Sequence, residues 1–274
     1  MKRKIISIFT IFILSFTILF GYHSHTDPHI YAKEKTANQL AKKISSKAWA
    51  KYSSSRKNWS WKYPDKNVKK FDGRYRMSSK DKSVYLTFDI GYSNSSTWKI
   101  LKTLKKAKVK AIFFVTYPVA KDNPKLIKRI IADGHILGNH STKHGDYSKY
   151  SLAQTKKDFL GIHNYVLKHY KYRMEYFRFP EGGYSNRALY FMKKMKYKTV
   201  FWDFAYNDYD DNHQPSTSYA YKFITKNIHK GSIPLLHGQS STNAKVLNKV
   251  IKYAKGKGYT FKQFSVSSYA GIQK

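Results

Sequence analysis

From Ser83 onward, short apolar runs alternate with amphipathic stretches, and this rhythm predicts most of the secondary structure. The runs at 84–89, 111–116, 135–140, 176–179, 199–203, 233–237 and 260–264 are apolar through most of their length, as strands covered on both faces are. Between them, residues 96–106, 124–133, 152–168, 186–195, 219–229 and 243–255 repeat apolar positions at helical spacing. Asn123-Pro124 is a helix start with proline at the first helical position, and Asp133-Gly134 is a helix stop. Strands alternating with helices through short connections predict a parallel sheet. Seven such strands suit a distorted, incomplete (β/α)7 TIM-like barrel better than an open doubly wound sheet. A nucleotide-binding fold has no support, because neither common glycine-rich phosphate motif is present.

The part before the barrel divides in two. Met1-Lys2-Arg3-Lys4 followed by an unbroken apolar run over 5–20 predicts a secretory signal, with Ala32 as the only small-residue cleavage candidate. The run is slightly short for a membrane span of about 20 residues, so a signal anchor that tethers the protein to the membrane stays open. The expected organisation is therefore a signal peptide or anchor at 1–32, an N-terminal extension at 33–80 and a domain of alternating strands and helices at 81–270. Within the extension, 36–51 has helical character. Trp59-Ser60-Trp61-Lys62-Tyr63-Pro64 reads as an extended aromatic segment that packs an arm onto the domain or stacks on sugars.

Charge narrows the setting. With 52 Lys+Arg against 16 Asp+Glu the formal net charge is +36, which calls for an anionic environment. The basic residues are spread along the whole chain, which favours a generally cationic surface over a nucleic-acid groove. Together with the signal, this points to export and to anionic cell-wall polymers, with no nucleic acid as partner. The absence of cysteine removes disulfides and thiolate chemistry and fits an exported protein of a Gram-positive-type bacterium.

The candidate chemistry lies at strand ends. Asp89, His140, Arg178, Asp208 and His237 each follow an apolar run, and in a parallel barrel these ends converge on one face. His140 and His144 are four residues apart, a spacing that lets both rings reach one ion if the loop takes a helical turn.

Taken in order, these residues resemble the polysaccharide deacetylases of carbohydrate esterase family 4, the NodB-homology group, over residues 83 to about 265. The resemblance rests on Thr87-Phe88-Asp89-Ile90-Gly91 for T-F-D-D-G, His140-Ser141-Thr142-Lys143-His144 for H-S/T-x-x-H, and Arg178-Phe179-Pro180-Glu181-Gly182 for R-x-P-x-G. Asp208-Tyr209 stands near the D-x-x-D-W block, and Leu235-Leu236-His237 matches L-x-H. Gly91-Tyr92, Gly138-Asn139-His140 and Val200-Phe201-Trp202 further resemble the branch of muramic-acid deacetylases that prepare peptidoglycan for δ-lactam formation, which would place the protein in sporulation. The resemblance implies metal-dependent removal of N-acetyl groups from peptidoglycan glycan strands by a monomer. His140 and His144 would hold a divalent ion, zinc or similar. Asp89 would be the general base, Arg178 its partner, and His237 the acid for the leaving amine, oriented by Asp208. The oxyanion would be met by the ion and by backbone N–H groups after Tyr92.

One position departs from that pattern. The second aspartate of T-F-D-D-G, a metal ligand in the family, is Ile90 here, which has no donor atom. A site of two histidines completed by water binds an ion more weakly than one with an added carboxylate. The alternatives are a substitute ligand from Asp210 or Asp211, a catalytically silent cationic glycan-binding pseudoenzyme, and a deacetylase of N-acetylglucosamine or chitin-type polymers.

Overall fold

The computed structural model describes residues 38–44, 48–49, 52, 57–58, 65–78 and 80–265. The signal segment and the aromatic stretch 59–64 lie outside the described residues. Eleven strands are present among those described: β1 Lys57–Asn58, β2 Ser83–Val84, β3 Thr87–Ile90, β4 Ile112–Val115, β5 Ile136–Asn139, β6 Tyr176–Phe177, β7 Gly183–Tyr184, β8 Lys198–Thr199, β9 Phe204–Ala205, β10 Pro234–His237 and β11 Thr260–Phe261. Seven form one sheet in the order β8-β6-β5-β4-β3-β10-β9, with every pairing parallel. Its two edge strands, β8 and β9, are consecutive in the chain, so residues 200–203 cross the gap of an incomplete barrel.

Period-2 alternation sorts the strand side chains into two layers. Along β4, Ile112 and Phe114 join Ile136, Tyr176, Val200 and Ile233 in an inner cluster, whereas Phe113 and Val115 join the larger cluster beneath the helices. Phe88 and Ile90 of β3 also belong to the outer cluster, which turns Thr87 and Asp89 inward. Helices Ser95–Ala107, Pro124–Ala132, Leu152–Tyr170, Asn186–Lys194, Thr217–Asn227 and Ser241–Gly256 cover the outside. Several start on side-chain caps, including capping boxes at Asn94 and Ser151 and single caps at Ser185, Ser216 and Ser240. Such caps satisfy backbone donors that have no partner inside the helix.

Three expectations need correction. Residues 260–264 do not join the barrel sheet: Thr260–Phe261 pairs with Ser83–Val84 in a separate two-stranded sheet. The seventh strand is instead Phe204–Ala205, because the run 199–203 leaves the sheet after Thr199 and residues 200–203 cross the gap between the sheet edges. A short helix, Tyr117–Asp122, follows β4 where no helix was expected, with Pro118 in its first turn. Part of the extension is packed onto the barrel. Ala41, Ile44 and Trp49 are buried in the outer cluster, and Tyr52 stacks on Tyr190 at 4.2 Å.

Candidate active site

Register builds the site. Thr87 pairs with Leu235 and Asp89 with His237 across β3 and β10, and Asp89 pairs with Phe114, which pairs with Gly138. His237, Asp89, Phe114 and Gly138 therefore sit at one level of the barrel, and Asp89 and His237 face one cavity of about 800 Å³ at the C-terminal strand ends. Gly138 is required there. A Cβ at that position would stand 2.5 Å from the Phe114 ring, and that ring carries the Arg178 guanidinium at 4.4 Å from its centroid.

Asp89 is buried and held by a fully buried arginine. Arg178 Nη1 donates to Asp89 Oδ1 at 2.7 Å. Its Nη2 donates to Thr87 Oγ1 (2.8 Å) and to the Phe201 carbonyl (3.0 Å), and its Nε to the Val200 carbonyl (3.0 Å). Burial alone would raise the Asp89 pKa. The Arg178 charge, with smaller electrostatic help from the His140 and His237 rings and from the Arg178 hydrogen bond, outweighs it, so the carboxyl lies below its ordinary value. Asp89 Oδ2 is left towards His140, 3.5 Å from its Nε2.

His140 is buried, and its Nδ1 donates to the Arg178 carbonyl at 2.9 Å, which leaves Nε2 as the lone-pair nitrogen. Burial pushes this ring down to about 4, against the Asp89 charge and with help from His144, so it is neutral at physiological pH. The loop to His144 does not take a helical turn. Ser141 (φ 77°) and His144 (φ 53°) both adopt left-handed backbone, a strained conformation for residues with a Cβ. Side chains hold that shape: Ser141 N–H donates to Asn139 Oδ1 (2.8 Å), Lys143 N–H to Asp158 Oδ1 (2.9 Å) and His144 N–H to Ser141 Oγ (2.8 Å). The two rings end edge to face, 4.9 Å apart between centroids.

On the opposite wall, His237 Nδ1 meets Asp208 Oδ1 at 2.6 Å, and the His237 N–H donates to Asp208 Oδ2 at 2.8 Å. Asp208 is wholly buried, and Asn243 Nδ2 adds a third donor at 2.5 Å. Burial opposes charge on the His237 ring. The hydrogen bond and charge of Asp208, aided by Asp89, prevail and raise its pKa above the ordinary imidazole value. Tyr209 also lines the cavity, 57% exposed, with its ring edge to face on His237 at 5.9 Å.

The structure thus brings Asp89, Arg178, His140, His144, Asp208 and His237 to one end of the barrel. The two carboxylates offered as substitute ligands are used elsewhere: Asp210 pairs with His213 at 2.8 Å, and Asp211 accepts from the Tyr92 hydroxyl. Ile90 is buried in the outer cluster, on the face of β3 opposite Asp89. His140 and His144 fit two positions of a divalent ion, since both line the cavity and His140 has its tautomer fixed for ligation. No third donor joins them: among the described residues, no cluster of three or more His, Cys, Asp or Glu side chains is arranged to hold a metal. Two functional partners escaped the sequence reading. Thr87 lies one inward position before Asp89, so strand alternation points to it. Asn243 comes from a helix 35 residues beyond Asp208, and no local signal marks it.

A half-closed parallel barrel with an arginine-held carboxylate, a paired histidine and two further imidazoles at its C-terminal rim defines a hydrolase-type site. Residues 76–200 match the polysaccharide deacetylase family model. Over 196 residues the chain is 41% identical to the peptidoglycan-N-acetylmuramic acid deacetylase PdaA of Bacillus subtilis, covering 71% of this chain and 74% of that protein. It is 30% identical to a peptidoglycan-N-acetylglucosamine deacetylase of Bacillus cereus, covering 68% and 88%. The solved structure of Bacillus subtilis PdaA, a family 4 carbohydrate esterase, superposes with a TM-score of 0.72 at 38% identity, over 76% of this chain and 94% of that one. The chain belongs to the polysaccharide deacetylase family, metal-dependent hydrolases that cleave N-acetyl amide bonds of glycans.

Proposed function

We propose that this protein removes N-acetyl groups from the amino sugars of peptidoglycan, with N-acetylmuramic acid as substrate on the way to muramic δ-lactam. The observation that carries the reading is the pairing of opposite roles across one cavity: a carboxylate gripped by Arg178, which lowers its pKa, faces a histidine hydrogen-bonded to Asp208, which raises its pKa. Two titratable groups pushed in opposite directions are suited to base and acid. Asp89 takes a proton from the attacking water at Oδ2, since Oδ1 is engaged by Arg178. His237 delivers a proton from Nε2 to the departing amine while Asp208 holds Nδ1. The products are acetate and a free amino sugar. A weakly held divalent ion on His140 and His144, zinc or similar, would polarise the amide carbonyl and lower the pKa of water. The greater identity to the muramic-acid enzyme than to the N-acetylglucosamine enzyme supports the choice of sugar.

Export completes the proposal. A signal peptide or anchor at 1–32, an extension at 33–80 and a catalytic domain at 81–270 would place a monomer of net charge +36 against anionic wall polymers, in a sporulating cell. Acetate release from peptide-stripped glycan strands, intact peptidoglycan and chitin oligomers, each with and without added divalent metal, tests the reading. Failure to release acetate in an Asp89-dependent way would overturn it.

One observation favours a second reading, a glycan-binding protein without turnover: Ile90 supplies no ligand and nothing described replaces it. That reading expects Asp89→Asn to leave glycan binding and the biological effect intact, with no acetate release from the native protein at any metal concentration.

A further inference from the structure

We propose that the N-terminal extension is a positioning element for the reaction above: Tyr75 and the Arg74 main chain fix the residues that aim Arg178, and through it Asp89. The inference rests on the deacetylase reading for its kinetics but not for its geometry. Arg178 is wholly buried and draws two of its donors' partners, the carbonyls of Val200 and Phe201, from the segment that crosses the open seam of the barrel. On one side this segment is tied to β6, where Val200 N–H donates to the Phe177 carbonyl at 2.9 Å. On the other side stands the extension in place of a further barrel strand. Arg74 N–H donates to the Thr199 carbonyl (2.9 Å), and Phe201 N–H donates to the Arg74 carbonyl (2.8 Å).

Tyr75 clamps this bridge. Its ring stacks on Phe201 at 5.2 Å and 28°, and its hydroxyl shares a 3.2 Å hydrogen bond with Tyr184, which donates to Asp65 at 3.3 Å. The turn that delivers Arg74 is equally constrained. Gly73 N–H donates to the Val68 carbonyl at 2.7 Å, and a Cβ on Gly73 would stand 2.6 Å from the Val68 side chain. The family match begins at residue 76, so Gly73, Arg74 and Tyr75 lie outside it. A guanidinium with five fixed donors transmits small shifts of its acceptors directly to the carboxylate it grips.

The test compares Tyr75→Phe and Tyr75→Ala in the full chain, alone and in an Arg178→Lys background. Tyr75→Phe keeps the ring stack but loses the Tyr184 hydrogen bond, and is expected to lose less acetate release than Tyr75→Ala; equal losses would overturn the role of the ring. Tyr75→Ala is expected to lower kcat about tenfold with KM unchanged, and to cost nothing further once Arg178 is lysine. A loss confined to KM, or the same loss in both backgrounds, would overturn the proposal. Two readouts are independent of turnover. In the native chain the Phe201 amide should exchange as slowly as the β3–β4 ladder amides, and fast exchange would overturn the proposal even if the alanine variant fails to fold. The Arg178 Nε–H resonance should exchange faster in Tyr75→Ala than in Tyr75→Phe, and equal rates would overturn it. A native protein that releases no acetate removes the deacetylase reading, and these two proton measurements then decide the positioning role.

Discussion

Two histidine–aspartate pairs flank β9 and β10, one at each end of the barrel, and they are built almost alike. At the C-terminal end His237 meets Asp208 at 2.6 Å, and at the other end His229 Nε2 meets Asp203 at 2.7 Å. Both aspartates are buried, and each also accepts a backbone N–H, Asp208 from His237 and Asp203 from Ile233. Both histidines are raised above the ordinary imidazole value. Only His237 opens onto the cavity and faces Asp89; His229 lies beside the Gly231 turn that joins β2. Local chemistry therefore does not make a site. The end of the strands on which the pair stands decides whether a raised histidine opens onto the cavity, where we propose it acts as an acid, or only fastens the fold.

Substitutions can break that contrast. The largest effect should come from Asp89→Asn, which removes the proposed base facing His237: acetate release should fall about a thousandfold while circular dichroism is unchanged. Asp208→Asn is next. It leaves His237 in place but without its charged partner, and kcat should drop about a hundredfold with little change in KM. His229→Gln, the matching change at the far end, should leave kcat unaltered and lower the melting temperature by only roughly 2–4 °C, measured by calorimetry. Equal losses of activity at His229 and His237 would erase the distinction between the two ends.

The smallest effect is a pH dependence. The Asp203 hydrogen bond lifts the His229 pKa in the folded protein, against partial burial and the charge of Arg76. The resulting stability is fully present below the unfolded imidazole value near 6.5 and is lost as pH rises through the folded value. His229 is partly exposed, so screening keeps the contribution below about 1 kcal/mol. Melting curves on either side of that window should show it in the native protein and lose it in Asp203→Asn.

Much of this was legible in the order of residues. Apolar runs and helical spacing located the strands at 87–90, 112–115, 136–139 and 234–237 and the six main helices, because burial on both faces leaves a local trace. Asp89, His140, Arg178, Asp208 and His237 were visible as polar groups at the ends of those runs. Less was visible where a run changed role. The run 199–203 is apolar like a strand, yet only Thr199 belongs to an edge strand, residues 200–203 cross the barrel seam, and the other edge strand, Phe204–Ala205, comes after them. The separation of the His140 and His144 rings was also hidden, since it depends on left-handed backbone at Ser141 and His144 fixed by Asn139 and Asp158.

By itself, then, the sequence determined the alternating strands and helices, the inward face of β3 that carries Thr87 and Asp89, and the absence of a donor at Ile90. These follow from side-chain period and residue chemistry, which are properties of neighbours along the chain. Tertiary structure alone decided that Asp89 meets Arg178 across 89 residues, that Asn243 reaches Asp208, and that Arg74 and Tyr75 brace the seam. Those contacts depend on strand register and on where the barrel fails to close, and neither is written in any local pattern.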